Sequence, residues 1–312
     1  MEPMSLPDQT RSRGRTGGGR QPGARTLPVA ALWTGAVVCA TAVFAVYAFF
    51  VRTVLGQQLD EAPLTSAQRL HTAEAPAAVW LQTLPWFLIA GVLIGLAVLI
   101  ALVRRRWAVL IAVGVTVAGA TLSTQFLKYA VFSRPDLGVD TLTLNSLPSG
   151  HTTAGGAAAV ALLLAVPRRW RPVFGVAGAA FTTLVAGSTL VSYWHRPADV
   201  VAALGVVGAW ALAAAALTDP RSDPRPRRRS RGAGWAAMDR AVVDQARVAG
   251  LTLLGVATVA VCVAALLYTG VIPASLAGTG GNLWAGLLLE ASAASAVFAG
   301  LTLAFGRRSV LP

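Results

Sequence analysis

Three short clusters between residues 128 and 199 hold the side chains of this chain best suited to chemistry. The first is Lys128 with Arg134-Pro135, the second Pro148-Ser149-Gly150-His151, and the third Ser188 followed by His195 and Asp199. Lys128 is the only lysine, and two of the three histidines fall in this window, in a chain that is 55% hydrophobic. A basic pair, a Gly-His turn and a His-Asp pair are the parts needed to hold a phosphate and cleave its ester. A phosphate dianion brought against apolar protein needs preorganised donors, because its desolvation is otherwise prohibitive. Lys128 offers a point charge, and Arg134 a planar fork matched to phosphate oxygens.

Gly150 lets backbone approach a ligand closely, and the free N–H groups of a helix start favour an anion. Ser149 has the chemistry to cap that helix and to touch the phosphate. His151, beside it, is placed to give a proton to a leaving alkoxide. In His195-Arg196-Pro197-Ala198-Asp199, Pro197 suits a first helical turn, leaving His195 just outside it and Asp199 within it. Asp199 then accepts from one imidazole nitrogen of His195 and leaves the other free to attack phosphorus. Taken singly, each cluster has a plainer reading: snorkelling cations at a membrane interface, a capped helix with an interfacial histidine, and a structural His-Asp pair.

Taken together, the clusters resemble the signature of the type 2 phosphatidic acid phosphatase family, integral-membrane lipid phosphatases that work without metal. The resemblance implies His195 as nucleophile, Asp199 as its partner and His151 as leaving-group acid. It implies Lys128, Arg134, Ser149 and Gly150 as phosphate binders, with no cofactor. Two departures stand out. Tyr129 to Ser133 place five residues between Lys128 and Arg134, where the family has six, so the helix has to loosen before Pro135. Where the family reads Ser-Arg, this chain reads Ser188-Thr189, and Arg196 is the expected replacement for the missing phosphate-binding cation.

The elements that must position these residues are apolar helices. A mean hydropathy of +0.63 with 12% charged residues points to a membrane protein. The net charge of +13 does not indicate nucleic acid, because the arginines sit in short runs between apolar segments. Cys39 and Cys262 lie inside apolar runs without metal-ligand spacing. Residues 1–27 read as a disordered basic tail, and the run from Leu27 to Phe50 is too long for a signal peptide. After a polar loop at 52–78, apolar runs follow at 80–103, 107–127, 151–167, 172–194, 198–217, 248–269 and 283–306. The run at 151–167 is short for the ~20 residues a spanning helix needs.

The fold expected is all-α and polytopic: a six-helix phosphatase core over 28–217, a basic linker over 218–247, and two extra transmembrane helices within 248–312. Every basic residue except Arg52, Arg69, Lys128, Arg134 and Arg196 then falls on one side. The positive-inside rule makes that side, with both termini, cytoplasmic, and puts the three clusters outside. Gly91 and Gly95 are spaced to pack helices. Glu290, the acidic residue well inside a span, is open to a functional role or, at least as readily, to snorkelling or pairing with a loop arginine.

The expected function is hydrolysis of a lipid-linked phosphate or diphosphate at the outer face of the cell membrane, with membrane lipids as the other partners. The Ala/Gly/Val/Arg-rich composition suggests a bacterium with GC-rich DNA, and so an undecaprenyl-type polyprenyl diphosphate of cell-envelope synthesis as the first substrate choice, with phosphatidylglycerol phosphate, phosphatidic acid and a prenyl-linked sugar phosphate left open. The rival readings are transfer of the phosphoryl group to an alcohol, and an inactive lipid-phosphate-binding membrane protein. Oligomeric state is not readable from the sequence.

Overall fold

The computed structural model describes residues 28–72, 83–140, 144–218, 233–272 and 280–306. The basic tail, most of the linker, Arg307 and Arg308 lie outside the described residues. Among those described, the fold is all-α with no strand. Its helices are α1 (Val29–Val46), α2 (Val54–Thr72), α3 (Trp86–Val103), α4 (Trp107–Phe126), α5 (Gly150–Ala165), α6 (Arg171–Val191), α7 (Pro197–Leu217), α8 (Ala233–Tyr268) and α9 (Gly281–Gly306). Among the described residues, seven segments are long and apolar enough to span a membrane, and α5 is a shorter apolar helix.

Helix α5 is the axis of the bundle. All but a few of its residues are buried, and α3, α4, α6 and α7 pack around it. Its Gly155-Gly156-Ala157-Ala158-Ala159 stretch lets those neighbours come close; a methyl group added at Gly155 would meet Val185 of α6 at 3.1 Å. Helix α1 lies on α7, and the α8–α9 hairpin lies on α6 and α7.

The hairpin is fastened to the core at the basic end. Arg168 Nε donates to the carbonyl of Gly306, and Arg171 Nη1 to that of Phe305, each at 3.0 Å. Cations are favoured there because the last carbonyls of a helix lack partners and carry partial negative charge. The arginines that mark sidedness therefore also cap the final helix.

Four expectations are corrected. The polar loop at 52–78 is helix α2 over Val54–Thr72. Helix α8 begins at Ala233, inside the segment expected as linker, and runs to Tyr268 without interruption. Gly91 and Gly95 face open space, with nothing within 4 Å of an added Cβ, and so do not serve helix packing. Glu290 is fully buried and does not snorkel, and among the described residues neither of its carboxyl oxygens has a hydrogen-bond partner.

Candidate active site

The three clusters meet at the end of the bundle opposite Arg168 and Arg171. The first is shaped by the missing residue. Helix α4 ends in a π-helical turn, Leu127–Val131, that contains Lys128, and Phe132 is already extended. This wider turn followed by extended chain is the loosening expected before Pro135. Asn145 holds the result in place by donating from Nδ2 to the carbonyls of Lys128, Phe132 and Leu147.

In the second cluster, Ser149 caps α5, its hydroxyl accepting from the Thr152 N–H at 3.3 Å. The Ser149 N–H donates to the Asp199 carbonyl at 2.9 Å, which locks the second cluster to the third. His151 lies one residue inside α5, between two aromatic rings. Phe87 of α3 and Trp194 have ring centroids 4.3 and 5.1 Å from its own.

The third cluster sits in the tight turn between α6 and α7. The Thr189 carbonyl accepts from both the Trp194 and His195 N–H groups, and Tyr193 takes a positive φ of 63°. A bulky residue in that region is costly, and such strain gathers where a side chain must be aimed. The side chains of Ser188 and Thr189 point back to their own helix, bonding the carbonyls of Val185 and Ala186. His195 Nδ1 lies 3.1 Å from Asp199 Oδ2. A carboxylate only accepts, so Nδ1 carries the hydrogen, and in the neutral ring Nε2 is the bare nitrogen. The ring centroids of His151 and His195 are 6.3 Å apart, close enough for both to reach one phosphoryl group.

Helix α2 brings residues that the motif reading missed. Asp60 Oδ1 accepts from the Ala198 N–H at 2.8 Å, and its Oδ2 is 4.0 Å from Arg134. Glu61 Oε2 accepts from Arg196 Nε at 2.7 Å, and Arg196 Nη1 donates to Ser146 Oγ at 3.2 Å. Ser146 in turn donates to Asp199 Oδ2 at 2.6 Å. Arg196, expected at the phosphate, is thus engaged by a carboxylate and a hydroxyl and is only 3% exposed.

The two arginines differ electrostatically. Burial works against the charge of Arg196, but Glu61 and Asp199 outweigh it and raise its pKa. At Arg134, burial and the neighbouring Arg196 prevail over Asp60, Glu61 and Asp199, and its pKa is lowered. Burial and the Asp199 charge push Asp60 up to about 8, against the Ala198 N–H and the two arginines.

Periodicity could not have exposed α2. Its buried face runs through Gly56, Gln57, Asp60, Glu61, Pro63, Leu64 and Ala67. That is a helical period, but Gln57, Asp60 and Glu61 interrupt it with polar side chains, so no apolar stripe marks it. The adjacent acids Asp60 and Glu61, in a chain with 13 acidic against 26 basic residues, were the available signal. Among the described residues, no group of three or more His, Cys, Asp or Glu side chains is arranged to hold a metal.

No curated protein and no solved structure matches the chain. Residues 107–223 match the model of the PAP2 superfamily. The matched stretch takes in α4 to α7 and all three clusters, and leaves out α1–α3 and the α8–α9 hairpin. On the match and the clusters it contains, residues 107–223 belong to the PAP2 superfamily, the type 2 phosphatidic acid phosphatases.

Proposed function

We propose that this protein hydrolyses a lipid-linked phosphate or diphosphate at the outer face of the cell membrane, through a phosphohistidine at His195. Family membership supports a membrane phosphatase acting on lipid phosphates in general. The single observation that carries the finer reading is the His195–Asp199 contact facing His151 across 6.3 Å. It gives one imidazole a bare Nε2 and sets a second imidazole beside it.

In the first step His195 Nε2 attacks the terminal phosphorus while the bond from that phosphorus to its leaving oxygen breaks, the leaving group being the lipid alcohol of a monophosphate or the lipid monophosphate of a diphosphate. His151, protonated, gives its proton to that oxygen. Asp199 stabilises the positive charge that grows on the His195 ring. In the second step neutral His151 takes a proton from water, whose oxygen attacks phosphorus and releases His195. Lys128, Arg134 and the Ser149–Gly150 helix start hold the phosphate oxygens. Arg196 neighbours this cradle from its place between Glu61 and Ser146. The outer location rests on the distribution of basic runs. A polyprenyl diphosphate is the substrate proposed, because its head group meets enzymes of envelope synthesis on that face.

The test is phosphate release by the purified protein from a panel of lipid phosphates, repeated in right-side-out vesicles with a short-chain, impermeant substrate. Release in both, unchanged by EDTA and fastest with a prenyl diphosphate, supports the proposal. Complete loss in EDTA would overturn the histidine mechanism, and activity only after permeabilisation would overturn the sidedness. Transfer to added alcohol in preference to water would favour a phosphotransferase.

A further inference from the structure

Helix α2 lies outside the family match, yet it buries two adjacent carboxylates against the site. On a helix, neighbouring residues point about 100° apart, so Asp60 and Glu61 reach different targets. Asp60 takes the Ala198 N–H in the first turn of α7. Glu61 takes Arg196. The position of α2 is set by contacts beyond these acids: Leu64 and Ala67 pack with Leu190 and Leu283, and Pro63 lies against Gly286 of α9.

The bonds made by Arg196 form a chain. Its side chain runs from Glu61 at 2.7 Å to Ser146 at 3.2 Å. Ser146 then reaches Asp199 Oδ2 at 2.6 Å. The backbone N–H of Arg196 reaches that same oxygen at 3.0 Å, as does His195 Nδ1 at 3.1 Å. Three donors therefore converge on one carboxylate oxygen, and two of them come from groups that Arg196 makes or holds. A carboxylate fixed in this way leaves the imidazole one orientation, whereas a rotating one does not.

We infer that Glu61 is a positioning residue for the nucleophile: by anchoring Arg196, and through it Ser146, it fixes Asp199 and hence the ring of His195. This rests on His195 being the nucleophile, and it gives Arg196 a structural task in place of phosphate binding. A displacement of the reacting nitrogen by about 1 Å is enough to cost roughly a hundredfold in rate. The larger effect falls on turnover, because Glu61 bonds to Arg196; its charge also acts on Arg134, which sets the margin allowed in KM.

The experiment uses the full chain in detergent with ¹⁵N-labelled histidine. Three histidines give a ring-nitrogen spectrum simple enough to assign through a His195→Ala variant. Wild-type His195 is expected to show the form with hydrogen on Nδ1. Glu61→Gln should give a mixture of ring states for His195 with His151 unchanged, lower kcat about ten- to a hundredfold, and leave KM within about threefold. Glu61→Gln combined with Arg196→Gln should be no slower than Arg196→Gln alone, since residues that act as one unit are not additive.

Ser146→Ala leaves the Glu61–Arg196 pair intact and cuts the chain further on. It should reproduce the spectral change, and it stands in if Glu61→Gln does not fold. Wild-type kcat with an unaltered His195 spectrum in the folded variant would overturn the inference. So would a rise in KM alone, which would mark Arg196 as a phosphate ligand. The spectrum is read without substrate, so it decides the positioning claim even if the phosphatase reading fails on activity.

Discussion

Two polar stretches arrive at the same end of this bundle by different routes. Residues 128–199 bring Lys128, Arg134, Ser149, His151, His195 and Asp199, and nearly every one sits at a helix end. Helix α2 brings Asp60 and Glu61 from the middle of a helix and buries both. Helix ends are where backbone N–H groups, caps and turns can be shared with a substrate. The middle of a packed helix offers none of these, and its side chains must find protein partners, as Asp60 and Glu61 do in Ala198, Arg134 and Arg196. The family match covers the first stretch and not the second. On the proposed mechanism, the residues that meet substrate all come from the first stretch, whereas α2 only holds them in place, a support that extends to the final hairpin.

The largest expected effect on that division comes from α9. Gly286 lies where an added Cβ would meet Pro63 at 2.7 Å, Leu190 at 3.0 Å and Pro197 at 3.1 Å. Helices α2, α6 and α7 therefore converge on one glycine. Gly286→Leu should push Pro197 and the adjoining His195 turn outward and lower turnover about a hundredfold. Its overpacking should also cost about 1–3 kcal/mol in stability. Gly300→Leu, on the same helix where nothing lies within 4 Å, is the control and should stay near wild type in both. Equal behaviour of the two variants in turnover and melting assays would mean that the hairpin does not support the site.

A smaller effect is expected from Asp60. Its carboxyl titrates at about 8 in the folded protein, because of burial and the Asp199 charge, and near 4 in the unfolded chain. Between those values the native state binds the extra proton, so stability falls as pH rises through the window. Asp60→Asn keeps an oxygen for the Ala198 N–H and removes the titration. Going from pH 6 to pH 9, wild type should lose at least about 3 °C more in melting temperature than Asp60→Asn. Parallel curves would show that Asp60 is ionised throughout and works as an ordinary partner of Arg134.

Much of the molecule was legible in the sequence because membrane insertion leaves coarse marks. Long apolar runs located the spans, and the basic runs Arg104 to Arg106 and Arg168 to Arg171 mark the end away from the site. The three clusters were legible because Pro, Gly and His at helix starts restrict the backbone in recognisable ways. Even the shortened Lys128–Arg134 spacing told of a loosened helix, which the structure supplies as a π-turn. What stayed hidden was pairing between distant elements. Nothing local in Glu61 points to Arg196, and nothing local in Arg196 distinguishes a phosphate ligand from an internal anchor. Ser146 and Asn145, in an irregular loop, gave no periodic signal. The Gly91 and Gly95 spacing suggested helix contact, but small residues permit close approach without requiring it.

The central claim is that His195 carries the phosphoryl group. It is tested most directly by rapid quenching of the purified protein with a ³²P-labelled lipid phosphate, followed by denaturing electrophoresis at alkaline pH. The account predicts a labelled band that is stable in base and lost in acid, as a phosphoramidate is. The band should be absent in His195→Ala and build up in His151→Ala when the substrate has a good leaving group. Phosphate release with the same yield of label in His195→Ala, or a label that withstands acid and not base, would contradict it.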